Sequence, residues 1–183
     1  MQVNIYKLSG LLAPIVAFLS IALAILTHPW FSLTDNAISD LGALDVEDNY
    51  ILNIGLIVSG LLGIVFACGL YESLTSNLGK AGSIILLLGC LSLFLVGVFP
   101  EGTELHFPVS ISFFILTALG IVIIGLSFYE SNQRYSVFTE FLIVAGFILT
   151  VNAFSNFEGV AVAELIAGII FSIWVYLTIH EVM

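Results

Sequence analysis

The chain has 183 residues, of which 60% are hydrophobic and 9% are charged, and its mean hydropathy is +1.19. A soluble domain needs far more charge on its surface, so this composition excludes a soluble globular protein and indicates an integral membrane protein. The formal net charge of −10 repels nucleic acid, and we expect no nucleic-acid partner.

Six long apolar segments follow one another along the chain. Each has roughly 20 residues, which is the length of helix that crosses a hydrocarbon layer of about 30 Å. Because the segments lack period-2 alternation, they are typical of transmembrane helices and not of a β-barrel. The sequence therefore predicts an all-α protein, a compact bundle of six transmembrane helices in a single domain over residues 1–183. The predicted helices span residues 8–27, 50–71, 81–99, 109–129, 137–156 and 160–179.

The distribution of charge predicts an orientation. The chain's Lys and Arg residues, Lys7, Lys80 and Arg134, precede the first, third and fifth predicted helices. Because cytoplasmic loops are enriched in Lys and Arg, both termini are expected in the cytoplasm of a protein integral to the cell membrane. The first, third and fifth loops then face outward, either as a solvated acidic surface or as groups that attract cations. Their acidic residues are Asp35, Asp40, Asp45, Glu47, Asp48, Glu101, Glu104 and Glu158.

The first loop contains the polar pattern with the clearest spacing. Asp35 and Ser39 are four residues apart, and so are Asn36 and Asp40. A short helix would place these four side chains on one face, and Gly42 is expected to end it. Such a segment would lie across the outer mouth of the bundle. It is either an interfacial helix without a ligand or part of a binding site.

The third loop adds carboxylates and an imidazole on the same predicted side, from Glu101, Glu104 and His106. Imidazole and carboxylate groups suit a divalent metal such as zinc, and an open coordination position would activate water. If His28 and His106 converge, they and Asp40 would form such a metal site. The alternative is that each histidine is an interfacial hydrogen-bonding residue at the end of a helix.

Polar residues also extend the predicted pocket below the outer mouth. Glu164 lies about one turn inside the sixth helix, and an ionisable residue within the apolar layer usually has a functional role. Asn152 and Asn156, on the fifth helix, are expected to continue the same pocket. The centres of the predicted helices hold no acidic residue, which argues against a proton relay across the whole membrane.

Several motifs spread over nearly the entire chain together resemble those of a known family. The motifs are His28-Pro29, Ile38-Ser39-Asp40-Leu41-Gly42, Gly55, Gly97-Val98-Phe99-Pro100-Glu101 and His106. These motifs resemble the prokaryotic membrane family catalogued as domain of unknown function 998. The Ile-Ser-Asp segment and the later histidine also resemble, more distantly, the eukaryotic family of damage-regulated autophagy modulators and a protein of GPI-anchor lipid remodelling. The resemblance implies a six-helix bundle, a connection to lipids, and roles for Ser39, Asp40, Glu101 and His106.

Together these features predict a membrane protein whose outward polar pocket binds a lipid headgroup or a divalent metal. In an enzymatic version, a bound metal or His106 activates water or Ser39 for ester hydrolysis or lipid remodelling, and Asp40 orients the base. The alternatives are a small-molecule or ion transporter gated by Glu164, and a non-catalytic scaffold. Expected partners are membrane lipids and a lipid or small-molecule substrate, and the chain is compatible with an oligomer. The predicted binding residues are His28, Asp35, Glu101, Glu104, Glu164, Asn152 and Asn156.

Overall fold

The computed structural model describes residues 4–183, so the first three residues of the predicted domain lie outside this range. Over the described residues the protein has six long α-helices, each long and apolar enough to span a membrane, and it has no β-strand. The predicted all-α bundle is thus confirmed. The elements are α1 (Ile5–Thr27), the short 3₁₀ helix η1 (Ile38–Gly42), α2 (Tyr50–Ser73), α3 (Asn77–Val98), α4 (His106–Ser127), α5 (Gln133–Asn156) and α6 (Ala161–Glu181).

Several helices begin before the apolar segments that the sequence predicted. The third predicted helix started at Ala81, whereas α3 starts at Asn77. It follows Ser76, whose hydroxyl accepts a hydrogen bond from the amide of Gly79 at 3.0 Å. A side-chain cap of this kind satisfies one of the free amide groups in the first turn. Hydropathy does not mark this turn, because it contains the polar residues Asn77 and Lys80.

The six helices form a ring in which each helix packs against the next one along the chain, and α6 returns to α1. Short connections make successive helices antiparallel. Loops 28–49, 99–105 and 157–160 therefore lie at one end of the bundle, here called the acidic end. The opposite end, here called the basic end, carries Lys7, Lys80 and Arg134.

Two hydrophobic clusters hold the ring together. The first contains large buried side chains from α2, α3, α4, α5 and α6, among them Phe66, Leu86, Ile124 and Trp174. The second lies toward the acidic end and fixes η1 against the long helices. Its buried members are Ala24, Ile38, Leu41, Leu52, Leu56, Val96 and Ala161.

Backbone contact between α3 and α4 depends on glycine. A Cβ atom added at Gly120 would lie 2.8 Å from the backbone nitrogen of Leu86 and 3.0 Å from the carbonyl oxygen of Gly82. A Cβ atom added at Gly89 would lie 2.9 Å from the backbone nitrogen of Thr117. Backbone atoms cannot rotate away as side chains do, so these glycines permit the close approach that stabilises helix pairs in lipid.

We expect Gly120→Val to lower the free energy of unfolding by about 2 kcal/mol, because overpacking forces two backbones apart. Gly146→Ala is the matched control, since its added Cβ would meet the side chain of Ile170 and no backbone atom. Thermal unfolding in detergent, followed by circular dichroism, measures both. Equal stability of the Gly120 variant and the wild type would show that α3 and α4 separate without cost.

Candidate functional site

A segment of the first loop, residues 34–44 and here called the strap, crosses the acidic end of the bundle. It includes η1, whose buried Ile38 and Leu41 belong to the second hydrophobic cluster. Backbone hydrogen bonds tie the strap to the start of α6 and to the third loop. These bonds run from Gly159 N to Thr34 O (2.7 Å), from Ala161 N to Asn36 O (2.9 Å) and from Leu44 N to Glu101 O (3.1 Å).

The short helix predicted in the first loop is present, but it begins only at Ile38 and is a 3₁₀ helix that ends at Gly42. Asp40 determines this start. Its Oδ2 accepts hydrogen bonds from the amide of Ala37 at 2.9 Å and from Nδ2 of Asn36 at 3.2 Å. The predicted meeting of Asn36 with Asp40 therefore occurs. The Asp40 carboxylate, however, caps its own helix and makes no hydrogen bond to His106, whose orientation it was expected to set.

Glu101 and His106 form the polar centre of the acidic end. Nε2 of the buried His106 lies 3.0 Å from Oε2 of Glu101 and 3.2 Å from the hydroxyl of Ser110. Nδ1 of the same ring lies 2.9 Å from the carbonyl oxygen of Phe99, and the hydroxyl of Ser39 donates to Oε2 of Glu101 at 3.4 Å. The structure thus brings together Ser39, Glu101 and His106, which the sequence had singled out. Sequence reasoning missed Ser110, although its position one helical turn after His106 was a usable signal.

A tight turn presents Glu101 to this network. The amide of Thr103 donates to the carbonyl oxygen of Pro100 at 3.1 Å, and Gly102 has a φ of +94°. A type II turn requires such a positive φ at its third position, where glycine is favoured. Because Glu101 occupies the second position, its side chain is free to reach His106.

The order of these contacts limits the chemistry of His106. In a Ser–His–acid triad, the acid and the serine lie on opposite nitrogens of the ring, so that the ring can take the serine proton. Here Glu101 and Ser110 both contact Nε2, while Nδ1 faces the carbonyl of Phe99. Glu101 and Ser110 therefore compete for the same ring nitrogen, and no carboxylate lies on Nδ1 to orient the ring toward a serine. The network therefore suits positioning of the two serine hydroxyls better than nucleophilic attack.

His28 lies outside this network and contacts the backbone of the first loop. Its Nδ1 is 2.7 Å from the carbonyl oxygen of Ala24, and its Nε2 is 2.7 Å from the carbonyl oxygen of Glu47. Both ring nitrogens thus lie at hydrogen-bond distance from backbone carbonyl oxygens, and a metal ligated by either nitrogen would have to displace that contact. Over residues 4–183, no three side chains of His, Cys, Asp or Glu form a group that could hold a metal ion. The structure does not bring His28, Asp40 and His106 together.

A cavity of about 120 Å³ lies within the bundle beneath η1. Residues of α1, α2, α3, α4 and α6 line it, and η1 contributes Ile38 and Ser39 at the acidic end. Its polar side chains are Ser39, Ser59, Ser110 and Glu164, and the remaining lining residues are apolar or glycine. The cavity is therefore amphipathic. Its aromatic lining consists of Phe18, Phe113, Phe114 and Phe171.

Glu164 joins the strap to this cavity. It lies in the first turn of α6, and its Oε2 accepts a hydrogen bond from the amide of Ile38 at 2.7 Å. Its Oε1 has no hydrogen-bond partner within residues 4–183. Ser59, on the deeper wall, is satisfied, because its hydroxyl donates to the carbonyl of Ala13 at 2.8 Å. Glu164 therefore lines the cavity and has one carboxylate oxygen without a partner among the described residues.

Besides His28, four predicted binding residues lie away from the cavity. Asp35 is exposed, and its Oδ2 accepts a hydrogen bond from the hydroxyl of Ser32 at 2.5 Å. Glu104 is exposed in the third loop. Asn152 and Asn156 are exposed on α5, where Nδ2 of Asn156 donates to the carbonyl of Asn152 at 2.7 Å. Because α5 contributes no residue to the lining, its asparagines do not continue the pocket inward.

Comparison with known proteins gives one match. No curated protein and no solved structure matches the chain significantly. A family model does match, over residues 11–180, which include five of the six long helices in full or nearly so and most of α1. The resemblance to the autophagy-modulator family stays a prediction, whereas the first resemblance is confirmed. The chain belongs to the membrane family described as protein of unknown function (DUF998).

Proposed function

We propose that this membrane protein binds an amphiphilic, lipid-like molecule, with the polar head at the acidic end and an apolar part in the cavity. The observation that carries the proposal is the cavity's composition. Three of its four polar side chains, from Ser39, Ser110 and Glu164, lie near the acidic ends of their elements. The rest of the lining is almost entirely apolar, which is typical of small-molecule sites with a few orienting polar groups.

The volume of the cavity limits how much of a ligand it can hold. One water molecule needs roughly 10–15 Å³ of such volume, so about 120 Å³ has room for roughly ten non-hydrogen atoms. A whole diacyl lipid does not fit. A headgroup with its first few carbons, or one short chain with its head, does.

The proposal includes an orientation in the cell membrane. Lys7, Lys80 and Arg134 all lie at the basic end, and the positive-inside rule favours a cytoplasmic location for that end and both termini. The acidic end then faces outward, and a ligand reaches the cavity from the outer leaflet. Membrane lipids are accordingly the proposed partners.

Binding is favoured over hydrolysis by the contacts of His106. Because Glu101 and Ser110 share Nε2 of the ring, the arrangement differs from a Ser–His–acid triad, in which the acid and the serine contact opposite nitrogens. The hydroxyl of Ser39 donates a hydrogen bond to Glu101 and not to a histidine. Ser39 and Ser110 are instead placed to form hydrogen bonds with the head of a ligand.

Photolabelling with a diazirine derivative of octanol tests the proposal on the full chain in nanodiscs. Mass spectrometry is expected to find the label on cavity residues such as Phe113 and Phe114. Ala17→Leu places extra carbon atoms in the cavity and should lower this labelling about fivefold or more, because the cavity holds few atoms. Ala22→Leu is the matched control, since Ala22 is exposed on the same helix and should leave the labelling unchanged.

Two results would contradict binding in the cavity. One is labelling that is confined to lipid-facing residues in the wild type. The other is equal labelling of cavity residues in the Ala17 and Ala22 variants.

A further inference from the structure

We infer that the cavity selects an amphiphile with a primary ammonium head. This inference rests on the proposed function and specifies its ligand class. Ser39, Ser110 and Glu164 place three acceptor groups on the wall of one cavity. A primary ammonium carries three N–H donors and no acceptor. The three acceptor groups of the cavity therefore match the three N–H donors of the ammonium head.

Glu164 contributes the charge in this match. Its Oε2 is occupied by the amide of Ile38, whereas its Oε1 has no hydrogen-bond partner within residues 4–183. A carboxylate oxygen beside an apolar cavity is unfavourable unless it is paired with a cation or a donor. An ammonium group supplies both the charge and the donor.

The serine hydroxyls keep acceptor capacity for the same head. The hydroxyl of Ser39 donates a hydrogen bond to Oε2 of Glu101 at 3.4 Å, which leaves both lone pairs on the Ser39 oxygen free. Ser110 contacts Nε2 of His106 at 3.2 Å, and whichever of the two groups is the donor, the hydroxyl oxygen keeps a free lone pair. Both hydroxyls can thus accept a hydrogen bond from a donor in the cavity.

The lining also disfavours an anionic head. None of the residues that line the cavity is Lys or Arg. The amino group of Lys7 contacts the carbonyl oxygen of Ile179 at 3.4 Å, and that of Lys80 lies 5.3 Å from the ring centre of Tyr71, both at the basic end. A phosphate or carboxylate head would meet the Glu164 carboxylate without a countercharge.

A divalent metal fits the cavity less well than an ammonium group. Metals such as Zn²⁺ and Ca²⁺ take four or more ligands, several of them charged. One carboxylate lines this cavity, and no three potential ligand side chains come together within residues 4–183. The acidic end therefore offers the hydrogen-bond acceptors of an ammonium site and not the ligand set of a metal site.

Thermal stabilisation of the full chain in detergent by four probes of equal chain length tests the inference. The probes are octylamine, octyltrimethylammonium, octanol and octanoate, because a ligand that binds the folded state raises its stability with concentration. Octylamine is expected to reach half-maximal stabilisation at the lowest concentration. Octyltrimethylammonium, which lacks N–H donors, should be weaker, and octanoate should be weakest.

Glu164→Gln gives the decisive comparison. An amide oxygen can still accept from Ile38 N, so the strap contact is kept while the charge is removed. The octylamine concentration for half-maximal stabilisation should rise about tenfold or more, because a charged hydrogen bond is lost. The corresponding concentration of octanol should stay unchanged. Glu158→Gln removes the same charge from an exposed site at the acidic end and should have no effect. Should the Glu164 variant fail to fold, Ser110→Ala removes one acceptor and should weaken octylamine about threefold.

The inference would be overturned if octylamine stabilised the Glu164 and Glu158 variants equally. If Ser110→Ala has to replace Glu164→Gln, an octylamine response equal to that of the wild type would overturn it. Octanol that labels the cavity, together with octylamine that binds no better than octanol, would overturn the ammonium preference and leave the proposed function intact. Failure of octanol to label the cavity would instead count against the proposed function.

Discussion

Gly159→Val is expected to detach the strap from α6 and to destabilise the acidic end more than any other substitution considered. A Cβ atom at Gly159 would collide with the backbone nitrogen and oxygen of Asn36 and would lie 2.5 Å from the carbonyl carbon of Asp35. To make room, the strap must move away from α6. That movement breaks the bonds from Gly159 N to Thr34 O and from Ala161 N to Asn36 O.

The expected loss in the free energy of unfolding is about 3 kcal/mol or more. Overpacking contributes about 1–3 kcal/mol, and each lost hydrogen bond contributes about 1 kcal/mol. Thermal unfolding measures the total, and hydrogen exchange of residues 34–44 locates it. Glu158→Ala, at the exposed neighbouring position, is the control and should leave exchange of the strap unchanged. Unaltered protection of the strap in Gly159→Val would show that the strap does not depend on this contact.

The six helices were predictable because a lipid environment demands long apolar segments, and such segments are visible in hydropathy alone. The start of α3 was not, because its first turn is polar. It is set by the hydrogen bond from Gly79 N to the Ser76 hydroxyl, which satisfies a free amide and leaves no hydrophobic signal. Hydropathy reports where the chain meets lipid, and capping decides where a helix begins.

The meeting of Ser39, Glu101 and His106 was predictable from topology. Alternate loops of an antiparallel bundle share one end, so residues in the first and third loops had to come near one another. The failure of Asn152 and Asn156 to join them has a different cause. A helix surrounded by lipid is apolar on every side, so its sequence does not show which face points inward. Packing sets that rotation, and it turns both asparagines outward.

The two histidines of the acidic end show where reasoning from residue type stops. Both were candidate metal ligands because imidazole is a good ligand and both lie at the same predicted end. The structure gives His28 two carbonyl partners at 2.7 Å and gives His106 a carboxylate partner at 3.0 Å. Carbonyl partners contributed by the backbone cannot be identified from a sequence, because any residue can supply them.

His28→Phe is expected to lower the free energy of unfolding by about 2 kcal/mol. The phenyl ring keeps most of the volume and the edge contact with Trp30, whose ring centre lies 5.7 Å away. It removes both ring nitrogens, so the carbonyl oxygens of Ala24 and Glu47 lose their His28 partner. Each lost hydrogen bond costs about 1 kcal/mol, because the Ala24 carbonyl keeps the Thr27 hydroxyl as a donor and Glu47 is exposed to water. Thermal unfolding in detergent measures the change.

His180→Phe is the matched control, because His180 is exposed at the basic end and its ring packs on Tyr176. Its variant should keep the stability of the wild type. Adding zinc to both variants and to the wild type separates a structural histidine from a metal ligand. If the carbonyl bonds define His28, zinc leaves all three melting temperatures unchanged, and His28→Phe alone melts lower. A melting temperature that zinc raises in the wild type and not in His28→Phe would mean that a ring nitrogen gives up its carbonyl partner for the metal, and the first loop would then be a metal site after all.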